Sequence, residues 1–219
     1  MKKIIYNKID KHKVAEMPRV CFEGKIIVVT TKSDADKAVD FLLAQQILGI
    51  DTETRPSFKR GRQYKVALLQ VSTHDVCILF RLNSTGMTDS IIKLLEDTTV
   101  PKIGLSLHDD IMSMHRRVAF TPGNFIDLQK HVCEIGVEDL SLQKLYANFF
   151  GKKISKAQRL TNWEADILTE KQKVYAATDA WACIMLYEEL MRLEKEGDYE
   201  LIMVPEPTIE NKKQTEKEQ

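Results

Sequence analysis

Residues 47–53 read ILGIDTE, an apolar run that ends in two carboxylates with a single residue between them. If the run is a strand, Asp51 and Glu53 project from the same face, because side chains alternate along a strand. Two like charges at the end of a buried strand repel each other and are costly to desolvate. A divalent cation between them offsets that cost, and oxygen ligands favour Mg²⁺ or Mn²⁺ over zinc. The alternative at this point is a solvated strand end without a ligand.

The length and composition indicate one globular α/β domain with extensions. The chain has 219 residues, of which 43% are apolar and six are proline. No run approaches the ~18 consecutive apolar residues of a membrane span, and the lysine-rich start is not followed by an apolar signal core. The four cysteines are scattered without a C-x-x-C pair, which predicts neither a zinc site nor a disulfide framework. We therefore expect a cytoplasmic protein that does not bind a membrane.

The order of apolar runs and turn signals predicts a mixed sheet combined with helices. The predicted strands are residues 25–30, 47–53, 66–72, 76–80, 101–105 and 124–127. A helix is predicted from Leu107 to Val118, and a capping box at residues 169–172 opens a long helix that continues to about Leu193. This pattern divides the chain into an N-terminal extension (1–24), a folded domain (25–195) and a charged, flexible tail (196–219).

Basic residues cluster in two segments, although the net charge of the chain is zero. Residues 55–65 contain five basic residues and residues 151–163 contain four, and neither segment has an acidic residue. Segregated charge of this kind can form a polyanion-binding face on a neutral protein. The alternative for each segment is a solvated loop. The candidates for contact with a phosphate backbone are Arg62, Lys65, Lys156 and Arg159.

Each basic segment also contains an aromatic residue. Phe58 lies in the first segment and Trp163 in the second, and either ring could stack on a terminal base. For Trp163, the alternative is a role as an anchor in the hydrophobic core.

Further acidic residues occur on the two predicted helices. Four residues of the first helix define one apolar face: Leu107, Ile111, Met114 and Val118. At ~100° per residue, Asp110 lies at the border of that face and can point into a cleft, whereas Asp109 lies nearly opposite it. On the long helix, Tyr175 and Asp179 are four residues apart and share a face. The alternative for Tyr175 is an amphipathic core residue with a satisfied hydroxyl group.

Taken together, these residues suit phosphoryl transfer with two metal ions. Two ions ~3.5–4 Å apart can generate a hydroxide and stabilise the leaving oxygen of a phosphodiester. A tyrosine phenol can orient a metal-bound water by hydrogen bonding. A phosphate-cradling glycine loop is missing from the sequence, which argues against a nucleoside triphosphatase. The candidate metal ligands are Asp51, Glu53, Asp110 and Asp179, with Tyr175 as the fifth catalytic residue.

Three motifs resemble those of the DEDDy-type 3′→5′ exonucleases. They are Asp51-x-Glu53, Asp110 in the stretch IGLSLHDD, and Tyr175-Ala-Ala-Thr-Asp179. Residues 66–71 and 161–180 are also similar to the RNase D-like branch that includes the exonuclease domain of the Werner syndrome helicase. The resemblance covers about residues 25–195. It implies an α/β, ribonuclease H-like fold with a mixed five-stranded sheet flanked by helices, two Mg²⁺ or Mn²⁺ ions on the four carboxylates, and a water positioned by Tyr175.

The resemblance predicts an exonuclease that removes nucleotides from single-stranded or recessed 3′ ends. DNA is favoured over RNA, because the motifs look most like the helicase-associated branch. One alternative is an RNase D-like ribonuclease in RNA processing. Another is a non-catalytic nucleic-acid-binding module, although such a module would be expected to have lost a carboxylate. A third is a metal-dependent phosphohydrolase of small phosphoesters. Affinity for the substrate would come from the domain itself, from the basic segments or from a protein partner.

Overall fold

The secondary structure comes from a computed structural model, which describes residues 2–59, 61 and 63–205. The strands in this part of the chain are β1 (Lys3–Tyr6), β2 (Lys25–Val29), β3 (Leu48–Thr54), β4 (Val66–Ser72), β5 (Val76–Arg81), β6 (Lys102–Gly104), β7 (Phe125–Asp127) and β8 (Tyr199–Ile202). The helices are α1 (Lys11–Glu16), α2 (Lys32–Leu43), α3 (Leu82–Thr85), α4 (Asp89–Glu96), α5 (Leu107–His115), α6 (Leu128–Glu134), α7 (Leu142–Phe150) and α8 (Glu170–Glu196). None of these helices is long and apolar enough to cross a membrane.

The main sheet has six strands in the order β2-β5-β4-β3-β6-β7. Strand β4 runs antiparallel to β3 and β5, whereas the β2–β5, β3–β6 and β6–β7 pairs are parallel. This arrangement confirms the predicted mixed α/β sheet and the hairpin of β4 and β5. The sheet has one strand more than the five that the resemblance implied, because the three-residue strand β7 pairs with β6 at the edge.

Strand β3 separates an apolar face from an acidic face. Leu48 and Ile50 are buried in a core cluster that also contains side chains of α2, α4 and α5. Asp51 and Glu53 occupy the alternate positions of the strand. They therefore project from the other face, on the side where α8 packs. The same alternation that buries the first pair therefore directs both carboxylates toward the long helix.

Helix α8 crosses the sheet at very close range. Its N-terminus has the predicted capping box, in which Thr169 and Gln172 satisfy each other's backbone N–H groups. A Cβ at Gly49 would lie only 1.9 Å from the carbonyl oxygen of Ala180. Because a glycine on β3 faces the backbone of α8 here, the helix can lie against the strand that carries the acidic residues.

Both ends of the described chain join the domain. Strand β1 pairs in parallel with β8, so residues 199–202 form a strand where the sequence suggested a flexible tail. The side-chain amide of Asn148 on α7 clamps β1 by accepting from the Tyr6 N–H at 3.0 Å and donating to the Tyr6 carbonyl. Ile5 is completely buried among side chains of α6, α7 and α8. The N-terminal extension is thus part of the packed structure.

We expect Ile5→Ala to lower the free energy of unfolding by about 2–5 kcal/mol, because it leaves a cavity in the core. Ile4 is the matched control, since it is 51% exposed on the other face of the same strand. Ile4→Ala should change stability by no more than about 0.5 kcal/mol. Urea unfolding of both variants measures the difference. Equal, small effects would show that β1 does not contribute to the folded domain.

Candidate active site

Three of the four predicted metal ligands meet in one cluster. Asp51 and Glu53 come from β3, and Asp179 comes from α8, where it faces the strand. Carboxylate oxygens of the three residues lie within 4.8 Å of one another. Glu53 and Asp179 are buried, whereas Asp51 is half-buried. The structure therefore brings together residues that are far apart in the sequence.

The fourth carboxylate, Asp110, is held at the cluster by two anchors. The hydroxyl group of Thr52 on β3 donates a hydrogen bond directly to the Asp110 carboxylate. At the start of α5, the Asp127 carboxylate accepts the N–H groups of Ser106 and Leu107, each at 2.9 Å. Ser106 has a left-handed backbone conformation with φ of 58°, which turns the chain from β6 into the helix. The helix begins at Leu107 as predicted but ends at His115, before the expected end at Val118.

Tyr175 lies one helical turn before Asp179, on the same face of α8. Its phenol is close enough to the Asp179 carboxylate that each group shifts the pKa of the other. The ring is buried, and its centroid lies 6.0 Å from that of Trp163. Trp163 is itself completely buried. The suggestion that Trp163 stacks on a terminal base is therefore wrong, because the indole has no exposed face; its role is the alternative one, an anchor that supports Tyr175.

The carboxyl groups of the cluster have pKa values above their ordinary range. Burial, followed by the charges of its three acidic neighbours, raises the pKa of Asp51 well above its ordinary value. For Glu53, burial and the neighbouring carboxylates raise the pKa to about 9, although Arg159 acts in the opposite direction. Burial also raises the pKa of Asp179 to about 7 and that of Asp110 to about 6. Ionising these groups in the folded chain is therefore costly, and the described residues do not offset that cost.

A divalent cation fits this set of donors. All four side chains offer carboxylate oxygens, the ligands that Mg²⁺ and Mn²⁺ prefer. The raised pKa values indicate that partners such as Arg159 and the Thr52 hydroxyl group do not offset the cost of ionising these buried groups. Bound cations would supply that compensation.

One residue of the second basic segment, Arg159, lies near the acidic cluster. Arg159 is exposed and close enough to Glu53 to lower its pKa, and Lys65 and Lys156 are also exposed. Arg62 lies outside the described residues. An ion pair of 3.3 Å between Arg55 and Glu164 connects the loop after β3 with the segment before α8.

Phe58 is 84% exposed in the loop after β3. It lines a cleft of about 340 Å³ together with residues of both segments, namely Arg55, Pro56, Ser57, Lys59, Tyr64, Leu160 and Asn162. Because the ring is exposed in this cleft, a base could reach it, as the suggested stacking requires.

Thr52 and Asp127 are site residues that the sequence reading missed. Thr52 is the spacer of the Asp-x-Glu motif, and strand alternation directs it away from the two carboxylates. Nothing in the motif indicates that it meets Asp110. Asp127 is the last residue of β7, and its pairing with Gly104 brings it next to the start of α5. An acidic residue at the end of a predicted strand is a usable signal for this second residue.

The sequence matches one known family over most of its length. A family model described as 3′-5′ exonuclease matches residues 26–194. The chain is 30% identical over 190 residues to the mouse bifunctional 3′-5′ exonuclease/ATP-dependent helicase WRN, covering 81% of this chain and 13% of that protein. It is 29% identical over 176 residues to ribonuclease D of Gluconacetobacter diazotrophicus, covering 78% of this chain and 44% of the relative. The chain thus spans less than half of either relative.

Solved structures share the fold. The EXO domain of Nibbler from Aedes aegypti superimposes with a TM-score of 0.71 at 20% identity, over 81% of this chain and 92% of that one. Ribonuclease D from Trypanosoma brucei in complex with RNA U12 gives a TM-score of 0.67 at 21% identity, over 77% of this chain and 63% of that one. These similarities support the ribonuclease H-like architecture that the motifs implied. By the match over residues 26–194, the chain belongs to the 3′-5′ exonuclease family of hydrolases.

Proposed function

We propose that this exonuclease is metal-dependent and holds two divalent ions, Mg²⁺ or Mn²⁺, on Asp51, Glu53, Asp110 and Asp179. The observation that carries this proposal is the group of three carboxylates whose oxygens lie within 4.8 Å of one another. Their raised pKa values support it, because cations would stabilise the charged forms that burial disfavours. Held on these residues, two such ions would supply the chemistry for activating a water and for stabilising the leaving oxygen of a phosphodiester.

The residues around the cluster would orient the reacting groups. Tyr175 keeps its proton at neutral pH, since burial and the Asp179 carboxylate raise the pKa of its phenol. The neutral hydroxyl can therefore donate a hydrogen bond at the edge of the cluster and orient a water for attack. Thr52 fixes Asp110 through its hydroxyl group. Lys65, Lys156 and Arg159 would contact the phosphate backbone, with Arg159 nearest to the reacting bond.

The proposed substrate is the 3′ end of a single-stranded or recessed nucleic acid, with DNA preferred over RNA. Similarity to the helicase-associated branch supports DNA, and the WRN relative is 30% identical. RNA is the second candidate, because a similar solved structure, ribonuclease D of Trypanosoma brucei, contains RNA. We further propose that the protein acts in the cytoplasm, alone or with a protein partner that adds substrate affinity.

We expect Mg²⁺ or Mn²⁺ to support shortening of 5′-labelled single-stranded DNA, recessed duplex DNA and RNA from the 3′ end. Asp179→Asn should lower the rate by about 100-fold or more, because it removes a negatively charged ligand. Product ladders on denaturing gels measure the rate and rank the three substrates. EDTA and a small phosphomonoester serve as controls. Substrates that are bound but stay intact would favour the binding-module alternative, and turnover of the phosphomonoester would favour a phosphohydrolase.

The acidic cluster also predicts how stability depends on pH without metal. In the unfolded chain these carboxyl groups have pKa values of about 4, whereas folding raises them to about 6 for Asp110, 7 for Asp179 and 9 for Glu53. The folded state therefore binds more protons, and the free energy of unfolding should fall as the pH rises from about 4 to about 9. Urea unfolding in EDTA measures this fall. Mg²⁺ should make the free energy of unfolding depend less on pH. The same pH dependence with and without Mg²⁺ would argue against cation binding.

Neutralising a basic residue beside the cluster should weaken nucleic-acid binding and its salt dependence. We expect Arg159→Gln or Lys156→Gln to reduce the slope of log affinity against log salt by about 0.7–0.9, as one phosphate contact is lost. Fluorescence anisotropy in the inactive Asp179→Asn background measures the slope. Lys37→Gln is the matched control, because the Lys37 side chain is 78% exposed on α2. A slope that is unchanged in both test variants would place the backbone contacts elsewhere.

A further inference from the structure

Gln70 is a buried polar residue whose amide group has no partner. It lies in the middle of β4 and is 0% exposed. Neither its side-chain nitrogen nor its side-chain oxygen has a hydrogen-bond partner among the described residues. Buried amides are nearly always hydrogen-bonded in folded proteins, because desolvation without a partner is costly. An orphaned amide in a packed sheet therefore needs a partner such as a water, an ion or a side chain that moves toward it.

The strand register places Gln70 directly beside the acidic cluster. Gln70 is paired with Asp51 on β3 and with Leu79 on β5. Residues that are directly opposite in an antiparallel pair project from the same face, with Cβ atoms about 4.5–5.5 Å apart. Of the two cross-strand neighbours, only Asp51 can accept a hydrogen bond. The amide thus lies on the α8 side of the sheet, next to the first carboxylate of the motif.

Asp51 has a free site for such a donor. The backbone N–H of Thr52 donates to Oδ1 of Asp51 at 2.9 Å. A carboxylate can accept about four hydrogen bonds or metal contacts, so this single bond leaves its orientation incompletely fixed. A second donor from the neighbouring strand would fix the plane of the carboxylate and leave its other lone pairs for a cation.

We propose that Gln70 is a positioning residue for the metal centre: when the cation is bound, its side-chain N–H donates to the Asp51 carboxylate, directly or through one ordered water. The amide then holds Asp51 in the orientation that binds the cation. This role rests on the proposed function, since it requires Asp51 to be a metal ligand. Residues that orient metal ligands in this way typically change metal affinity by about 10–100-fold when they are removed.

The test compares Gln70→Met with wild type and with Leu79→Met. Methionine keeps the length of the glutamine side chain but cannot donate a hydrogen bond. Leu79→Met is the matched control, because Leu79 is the other cross-strand neighbour of Gln70 and is also fully buried. Calorimetric titration with Mn²⁺ in the absence of nucleic acid measures metal affinity directly. Urea unfolding in EDTA measures the stability of the metal-free protein.

We expect Gln70→Met to bind Mn²⁺ about 10–100-fold more weakly, while its metal-free unfolding midpoint stays the same or rises, because an unpartnered polar group has been removed. Its nuclease activity should recover at correspondingly higher Mn²⁺ concentrations. Leu79→Met should keep the affinity of the wild type. Gln70→Leu provides a second apolar variant if Gln70→Met fails to fold.

Two results would overturn the proposal. Wild-type Mn²⁺ affinity in folded Gln70→Met would show that the amide does not act on Asp51. Weaker binding accompanied by a lower metal-free unfolding midpoint would assign Gln70 a structural role only. Failure of the proposed function gives a different result, because the wild-type protein itself would then bind no Mn²⁺. The proposed role of Gln70 would be wrong in that case too.

Discussion

The site depends on the close packing of helix α8 against strand β3. A side chain at Gly49 would collide with the backbone of Ala180, so this approach requires a glycine on the strand. The consequence is geometric: Asp179, one residue before Ala180, reaches the two carboxylates of β3. Tyr175 follows from the same helix, one turn earlier. If the helix lay farther from the strand, Tyr175 and Asp179 could not reach the two carboxylates of β3.

The same packing has an electrostatic cost. Burying four carboxyl groups together raises the pKa of each of them, so their ionisation opposes folding as the pH rises. The rest of the domain must offset this cost. It does so through cores on both faces of the sheet and through clamps such as Asn148 on β1 and the Arg55–Glu164 ion pair. The proposed cations would relieve the repulsion, which couples the stability of the domain to its activity.

The positioning residues surround the acidic residues with neutral donors. Thr52 donates to Asp110, the phenol of Tyr175 lies near Asp179, and Gln70 lies opposite Asp51. A neutral donor fixes a carboxylate without cancelling its charge, which leaves the oxygens attractive to a cation. Arg159 lowers the pKa of Glu53, and it is exposed at the surface, where a phosphate can compete for it.

The sequence by itself determined the strands of the main sheet and the faces on which the candidate site residues lie. Period-two alternation placed Asp51 and Glu53 on one face, four-residue spacing placed Tyr175 with Asp179, and the capping box marked the start of α8, because these are local properties of the backbone. Only the tertiary structure decided that Trp163 is buried, that Thr52 meets Asp110 and that residues 199–202 pair with β1. These facts depend on contacts between segments far apart in the chain, and neither periodicity nor composition specifies which distant side chain fills a given space.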